Sequence, residues 1–383
     1  MSAWAGKYVI GLTGNIATGK SVVRKMLEHL GAYGIDADGL SHRAMDKRAP
    51  GYQKVVAAFG NWILAENEEI DREKLGNLVF SDAQALVKLE GIIHPFVRQA
   101  VDHLVNKSSQ KVVVIEAIKL LESPLLEACD VVWVASASEE VQRKRLIETR
   151  KMDQATATQR MAVQAPQSEK ISVADTVIEN NGSYEETWLQ VKTAWKLAFP
   201  KEDQDVSGAV PVAKKTTGSL QSLEVLRARP KQAEQIAQFI NRISKGAQNL
   251  STFDVMAAFG EKAYMLLKVN DELAGLVGWK VENLVARTDE VYLDDSLSLE
   301  DAVTFLITEV EKASKELQCE ASLIFVSPDI AKQVKAWGKL GYESREISDL
   351  EVSAWQAAAQ ESQVDGAVML FKQLRVDRVL KPI

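Results

Sequence analysis

The run Gly14-Asn15-Ile16-Ala17-Thr18-Gly19-Lys20-Ser21 constrains this chain more than any other stretch. It fits the spacing G-x-x-x-x-G-K-[ST], and its setting fits as well. The apolar run YVIGL at 8–12 reads as a buried strand, and Val22, Val23, Met26, Leu27 and Leu30 recur at helical spacing just beyond the motif. A strand–loop–helix turn of this kind holds phosphate. Its backbone N–H groups, from Gly14 through to Val22, line one concavity at a helix N-terminus, where the partial positive charge favours an anion. Glycines at 14 and 19 let the backbone approach without a Cβ in the way. Lys20 reaches the outer phosphates, and the Ser21 hydroxyl is placed to ligate Mg²⁺, with Asp38 or Glu116 as candidate further ligands. The motif predicts nucleotide binding. It does not by itself separate a kinase from a GTPase.

The surrounding pattern extends the same fold. Short apolar runs at 32–36, 111–115 (KVVVI), 131–135 (VVWVA) and 176–178 alternate with helical stretches at 82–93, 95–106 and 139–150. Strands alternating with helices predict an α/β domain: a P-loop NTPase fold with a parallel sheet and helices on both faces. The pattern stops after Phe199-Pro200. Residues 201–220, KEDQDVSGAVPVAKKTTGSL, are small and polar with no apolar period, so 201–221 reads as a linker between a domain at 1–200 and a second at 222–383. In the second, strands are expected at 223–228, 264–269, 273–281, 290–293, 321–326 and 367–374. Helices are expected at 231–243, 299–317 and 330–340, and Asn270-Asp271 signals a hairpin turn.

Composition narrows the function classes. A length of 383 residues suits two domains. No apolar run reaches the ~18 residues of a membrane span, and the N-terminus lacks the pattern of a secretory signal, so a cytoplasmic protein with no membrane partner is expected. The net charge of −7 argues against a nucleic-acid binder, and most of the excess acid lies in 222–383. Cys129 and Cys319 have neither metal spacing nor a disulfide framework. Arg143, Lys144, Arg145, Arg150 and Lys151 form a basic cluster that reads either as a solvated helix face or as part of a phosphate site.

Asp36-Ala37-Asp38 follows the second strand, and in a doubly wound sheet the carboxyl ends of the strands converge on the site. A carboxylate there can orient or deprotonate an acceptor hydroxyl. Helix capping by Asp38 explains the pair equally well. Taken with the other motifs, residues 8–198 resemble the dephospho-CoA kinase family. The matching pieces stand in family order: IGLTGNIATGKS, GIDADGLSH, Ile93-His94-Pro95, Leu120-Leu121-Glu122, the arginine-bearing stretch with Gln142, Arg145 and Arg150, and Ala174-Asp175 followed by VIENNGS at 177–183.

The resemblance implies ATP and Mg²⁺ as cofactors and dephospho-CoA as a small-molecule acceptor. It implies Asp36 as general base toward the ribose 3′-hydroxyl, Asp38 in support, and Arg145 and Arg150 closing over the ATP phosphates. Asn180, Asn181 and Gly182 would lie near adenine, and His94, Lys119 and Glu122 on the acceptor side. His94-Pro95 reads equally as the stop of one helix and the start of another. Three departures stand out. Ile118-Lys119 replaces the Pro-Leu of the family's "PLLFE" segment, which leaves Lys119 open to pairing with a substrate phosphate. Arg150 stands one residue further from Arg145 than the family spacing. Asn15 and Ala17 stand where the family often has glycine, which suits a negative φ there.

From about Leu223 onward the chain resembles the GNAT acetyltransferase fold, in LEVLRARPKQAEQIAQFIN, in LIFVSPDIAKQVKAWGKLGYES and in AVMLFKQL. That family's pyrophosphate motif, Q/R-x-x-G-x-G/A, should fall before the long helix. The place reads VYLDDSLSLED at 291–301, with no glycine and with Asp294, Asp295, Glu300 and Asp301. The expectation is an acetyltransferase-like domain that is inactive. The alternatives are a GNAT-type acyltransferase or a CoA sensor with a regulatory P-loop domain, or a different small-molecule kinase in the first domain.

Overall fold

The computed structural model describes residues 3–200, 210–216, 222–295, 297–332, 334–376 and 379. The chain divides into two compact units, Met1–Glu202 together with Arg378–Ile383, and Asp203–Asp377.

The first unit is built on strands β1 (Tyr8–Thr13), β2 (Tyr33–Asp36), β3 (Val112–Glu116), β4 (Val131–Ser136) and β5 (Thr176–Glu179). They form one parallel sheet in the order β2-β3-β1-β4-β5. The central strands β1 and β3 are buried almost throughout, which is why they read as unbroken apolar runs. Register sets the site: Asp36 and Leu12 each pair with Glu116, so β1, β2 and β3 end side by side. The helices are α1 (Lys20–His29), α2 (Ala37–Ala44), α3 (Tyr52–Phe59), α4 (Arg72–Ser81), α5 (Ala83–Lys107), α6 (Glu139–Lys144), α7 (Gln154–Ala162), α8 (Gln167–Ser172) and α9 (Tyr184–Ala198).

Two expectations are corrected here. The helices expected at 82–93 and 95–106 are one continuous helix, α5, with Pro95 inside it. Proline removes one donor and crowds the carbonyl four residues back, that of Gly91. A buried stripe through Phe96, Val97, Ala100, Val101 and Leu104 holds the helix through the defect. The helix expected at 139–150 is α-helical only to Lys144 and continues as a π turn over Arg145–Thr149.

The second unit carries β6 (Val210–Thr216), β7 (Ser222–Arg227), β8 (Ala263–Val269), β9 (Glu272–Glu282), β10 (Val285–Leu293), β11 (Ala321–Val326), β12 (Glu343–Ser344) and β13 (Val368–Gln373). The sheet runs β12-β13-β11-β10-β9-β8-β7-β6. It is antiparallel except for β10 and β11, which pair in parallel over Val285–Thr288 only; β10 has a bulge just beyond, between Thr288 and Glu290. Its helices are α10 (Ala233–Ile243), α11 (Thr252–Ala258), α12 (Leu299–Glu316), α13 (Pro328–Ala331), α14 (Val334–Leu340) and α15 (Ser353–Ser362). A mixed sheet with one parallel pair joined through a long helix agrees with the acetyltransferase-like fold expected from the sequence.

The expected linker is corrected in part. Residues 201–209 and 217–221 lie outside the described residues, but Val210–Thr216 is a strand pairing antiparallel with β7. An edge strand needs backbone partners on one side only, so it tolerates the Pro211 and the lysines that made the stretch read as linker. The helix expected at 330–340 is split into α13 and α14, and α15, which no apolar period announced, packs through Trp355, Ala358 and Ala359 beside Val285 and Phe371.

Candidate active site

The phosphate loop lies between β1 and α1. Gly14 has φ 150° and Gly19 has φ 89°, and a Cβ at either would collide, with the Ala135 carbonyl and with Asn180 Nδ2 respectively. Helix α1 begins at Lys20 with no side-chain cap and no acid in its first turn, so its leading N–H groups stay available to an anion. Lys20 arches back over the loop, with Nζ 3.2 Å from the Asn15 carbonyl. Burial pushes its pKa down, while Glu116 and Asp38 oppose that shift.

Ala17 departs from expectation. Its φ is 60°, in the left-handed region, where a Cβ costs ~1 kcal/mol or more. The methyl is buried in a small core with Ile16, Leu146 and Ala157. Asn15 Nδ2 donates to the Ala165 carbonyl at 3.0 Å, and the Ile16 N–H donates to Gln164 Oε1 at 2.7 Å. The tip of the loop is therefore held by the segment around α7 and α8, and those groups of Asn15 and Ile16 are already in use.

The two arginines have different surroundings. Arg145 donates to the Ala17 carbonyl at 3.2 Å and the Asn180 carbonyl at 2.8 Å, tying the loop to the end of β5, and burial lowers its pKa. The Arg150 side chain makes no hydrogen bond or ion pair among the described residues, and its charge acts on Lys20. The π turn accounts for its placing. The Arg150 N–H donates to the Arg145 carbonyl at 3.1 Å, an i to i+5 bond whose wider turn brings the residue five positions on back toward the side it left.

Asn180 is buried, its Nδ2 donates to the Thr18 carbonyl at 2.9 Å, and its Oδ1 accepts from Thr187 at 3.0 Å, so the side chain braces the loop. The Asn181 Oδ1 accepts from the Ser138 N–H, and a Cβ on Gly182 would collide with the Glu186 carboxylate.

Three carboxylates meet beside the loop. Asp36 is the N-cap of α2, its Oδ1 accepting from the Gly39 N–H at 2.8 Å; the cap expected of Asp38 belongs to Asp36. Asp38 instead accepts from the Ile118 N–H at 3.0 Å. Glu116 accepts from Ser21 Oγ at 3.0 Å and from Arg24 Nε at 2.7 Å. Arg24 is paired in turn with Glu28, whose pKa is held down at about 2 by Lys25 and Arg24 against its burial. Burial, and then the neighbouring Glu116, raise the pKa of Asp36. Burial, and then Asp36, push Asp38 up to about 6.

This incompletely neutralised acid cluster, with the Ser21 hydroxyl against Glu116, fits a hard divalent cation held by one hydroxyl, waters and phosphate oxygens. Among the described residues no cluster of three His, Cys, Asp or Glu side chains would hold a metal unaided.

The expected acceptor-side residues are more scattered. Lys119 is paired with Glu90 of α5 at 2.8 Å, on the surface. His94 lies half-buried within α5, and Glu122 is exposed in the turn after β3. Sequence reasoning missed Thr13, Arg24, Gln164 and Lys170. The only signal for Arg24 was polarity within the helix after the loop; Thr13 stands directly before the loop, and Gln164 and Lys170 are brought in by distant segments.

A family model described as dephospho-CoA kinase matches residues 8–186. The chain is 38% identical over 195 residues to the dephospho-CoA kinase of Geobacter sulfurreducens, covering 50% of this chain and 99% of that protein. It is 42% identical over 188 residues to that of Aquifex aeolicus, covering 49% and 95%. A solved structure similar to the other half is the PaiA N-acetyltransferase of Thermoplasma acidophilum in complex with coenzyme A, at 12% identity and a TM-score of 0.30, covering 40% of this chain and 99% of that one. With nearly the whole length of its curated relatives matched, the chain belongs, through its first unit, to the dephospho-CoA kinase family.

Proposed function

We propose that the first unit moves the γ-phosphoryl of ATP onto the 3′-hydroxyl of dephospho-CoA. The observation that carries this reading is the uncapped N-terminus of α1, with Lys20 at its head, facing the carboxylates of Asp36, Asp38 and Glu116. The loop N–H groups and Lys20 hold the β- and γ-phosphates, and Arg150 adds a cation to the same field. Mg²⁺, held through Ser21 with Glu116 behind it, would neutralise phosphate charge.

Asp38 suits the general base better than Asp36. One oxygen of Asp36 caps a helix, and the field around Asp36 is dominated by Glu116 and Arg24. Asp38 lies between Lys20 and the Ile118 wall and titrates at about 6, close to where a base works best. The acceptor hydroxyl gives its proton to Asp38 as its oxygen bonds to the γ-phosphorus. The bond from that phosphorus to the bridging oxygen breaks, and ADP leaves with the electron pair.

The second unit we read as a fold without the acyl transfer chemistry of its class. The N-terminus of α12 is closed by its own Ser298, whose hydroxyl accepts from the Asp301 N–H, and Glu300 and Asp301 occupy its first turn. Asp294 and Asp295 before it are paired with Arg242 and Lys245. The test of the main reading is ADP release by the full chain with dephospho-CoA beside a panel of nucleosides. Stimulation by dephospho-CoA alone is expected; none would overturn the reading.

A further inference from the structure

The backbone of Ile118 is held from three sides. Its N–H donates to Asp38 Oδ2 at 3.0 Å, and its carbonyl accepts from Thr13 Oγ1 at 3.1 Å and from Lys170 Nζ at 2.7 Å. Four separate segments meet at this one residue: the end of β1, the first turn of α2, the turn after β3, and α8. Lys170 is the costly member. It is only 4% exposed, its pKa is lowered by burial and then by Lys20, and its charge also interacts with Glu122 and Asp38. An ammonium has three donors, and among the described residues one of them is used, on a carbonyl that a threonine hydroxyl already satisfies. A buried charge so lightly paired is a poor strut, since desolvation opposes it.

We propose that Lys170 is a positioning residue for the acceptor half of the reaction: with Thr13 it holds the carbonyl of Ile118, the residue whose N–H holds Asp38. Its charge also favours an anionic alcohol on this side of the loop. The proposal rests on the acceptor reading above. It assigns a task to α8 that no motif in the sequence announces, and it explains how a chain with Ile118-Lys119 in the acceptor wall keeps that wall in register with Asp38.

Steady-state kinetics on the full chain test it, with both substrates varied. Lys170→Met is expected to lower kcat/KM for dephospho-CoA by ~10-fold or more while KM for ATP stays within about twofold, and Lys170→Arg, which keeps a donor and the charge, restores part of the loss. Thr13→Val gives a smaller loss of the same kind. Because both act through one carbonyl, the double variant falls short of the product of the singles. Equal losses toward both substrates, or a multiplicative double variant, would overturn the proposal. Amide exchange at Ile118 supplies a readout independent of the acceptor. It is expected to quicken by ~10-fold in Lys170→Met with global unfolding unchanged; an unchanged Ile118 rate overturns the proposal even if dephospho-CoA is not the substrate.

Discussion

Two helix N-termini in this molecule face opposite fates. Helix α1 starts at a glycine with positive φ, carries no side-chain cap and has no acid in its first turn. Helix α12 starts at a serine that caps it, with two acids directly after. The backbone chemistry is the same in both, since every helix leaves its first N–H groups without an internal partner. What differs is whether the chain fills them itself. An anion site is made by withholding the usual cap and by keeping acids out of the helix's own first turn, and α12 shows what the same position becomes when both are present.

The sharpest way to break this contrast is to remove the cation at the head of α1. Lys20→Ala should lower kcat/KM for ATP by ~10³-fold, with circular dichroism unchanged; a variant retaining full turnover would mean the open N-terminus is not the phosphate site. Next in size is Asp38→Asn, expected to lower turnover by ~10²-fold. The same change should stabilise the fold at neutral pH by ~2 kcal/mol. The sign follows from the raised pKa. Between about 4 and about 6 the folded chain holds a proton that the unfolded chain has released, so stability falls as pH rises through that window and stays lower above it. Turnover in the parent chain should accordingly fall away below about pH 6, and denaturant unfolding of both chains measures the stability half. The smallest effect belongs to α12. Ser298→Ala should cost the second unit ~1 kcal/mol in denaturant unfolding and leave both kinase KM values unchanged.

The phosphate loop was legible because its chemistry is local: two glycines, a lysine and a serine at fixed offsets dictate backbone shape and charge together. The acid pair Asp36 and Asp38 was legible as a pair, but not in its roles. Which aspartate caps the helix depends on φ at one residue, and the partner that occupies Asp38 instead is an N–H 80 positions away at Ile118. Lys170 reaches the site across 52 positions and could not be seen at all. Ala17 was misjudged because its positive φ is compensated by methyl packing from the α7 side, a tertiary effect that overrides local preference. Pro95 inside α5 failed as a stop signal for the same kind of reason.

Strand β6 has a practical consequence for anyone who separates the two halves. A fragment beginning at Ser222, where composition places the boundary, would lack Val210–Thr216 and strip β7 of one neighbour. The backbone donors and acceptors of β7 that face β6 would be left open, beside residues as apolar as Leu223 and Val225. An uncovered edge of that kind recruits other chains, so such a fragment invites aggregation that would be mistaken for intrinsic instability. Cutting before Val210 keeps β6, with its proline and lysines, as the edge on that side.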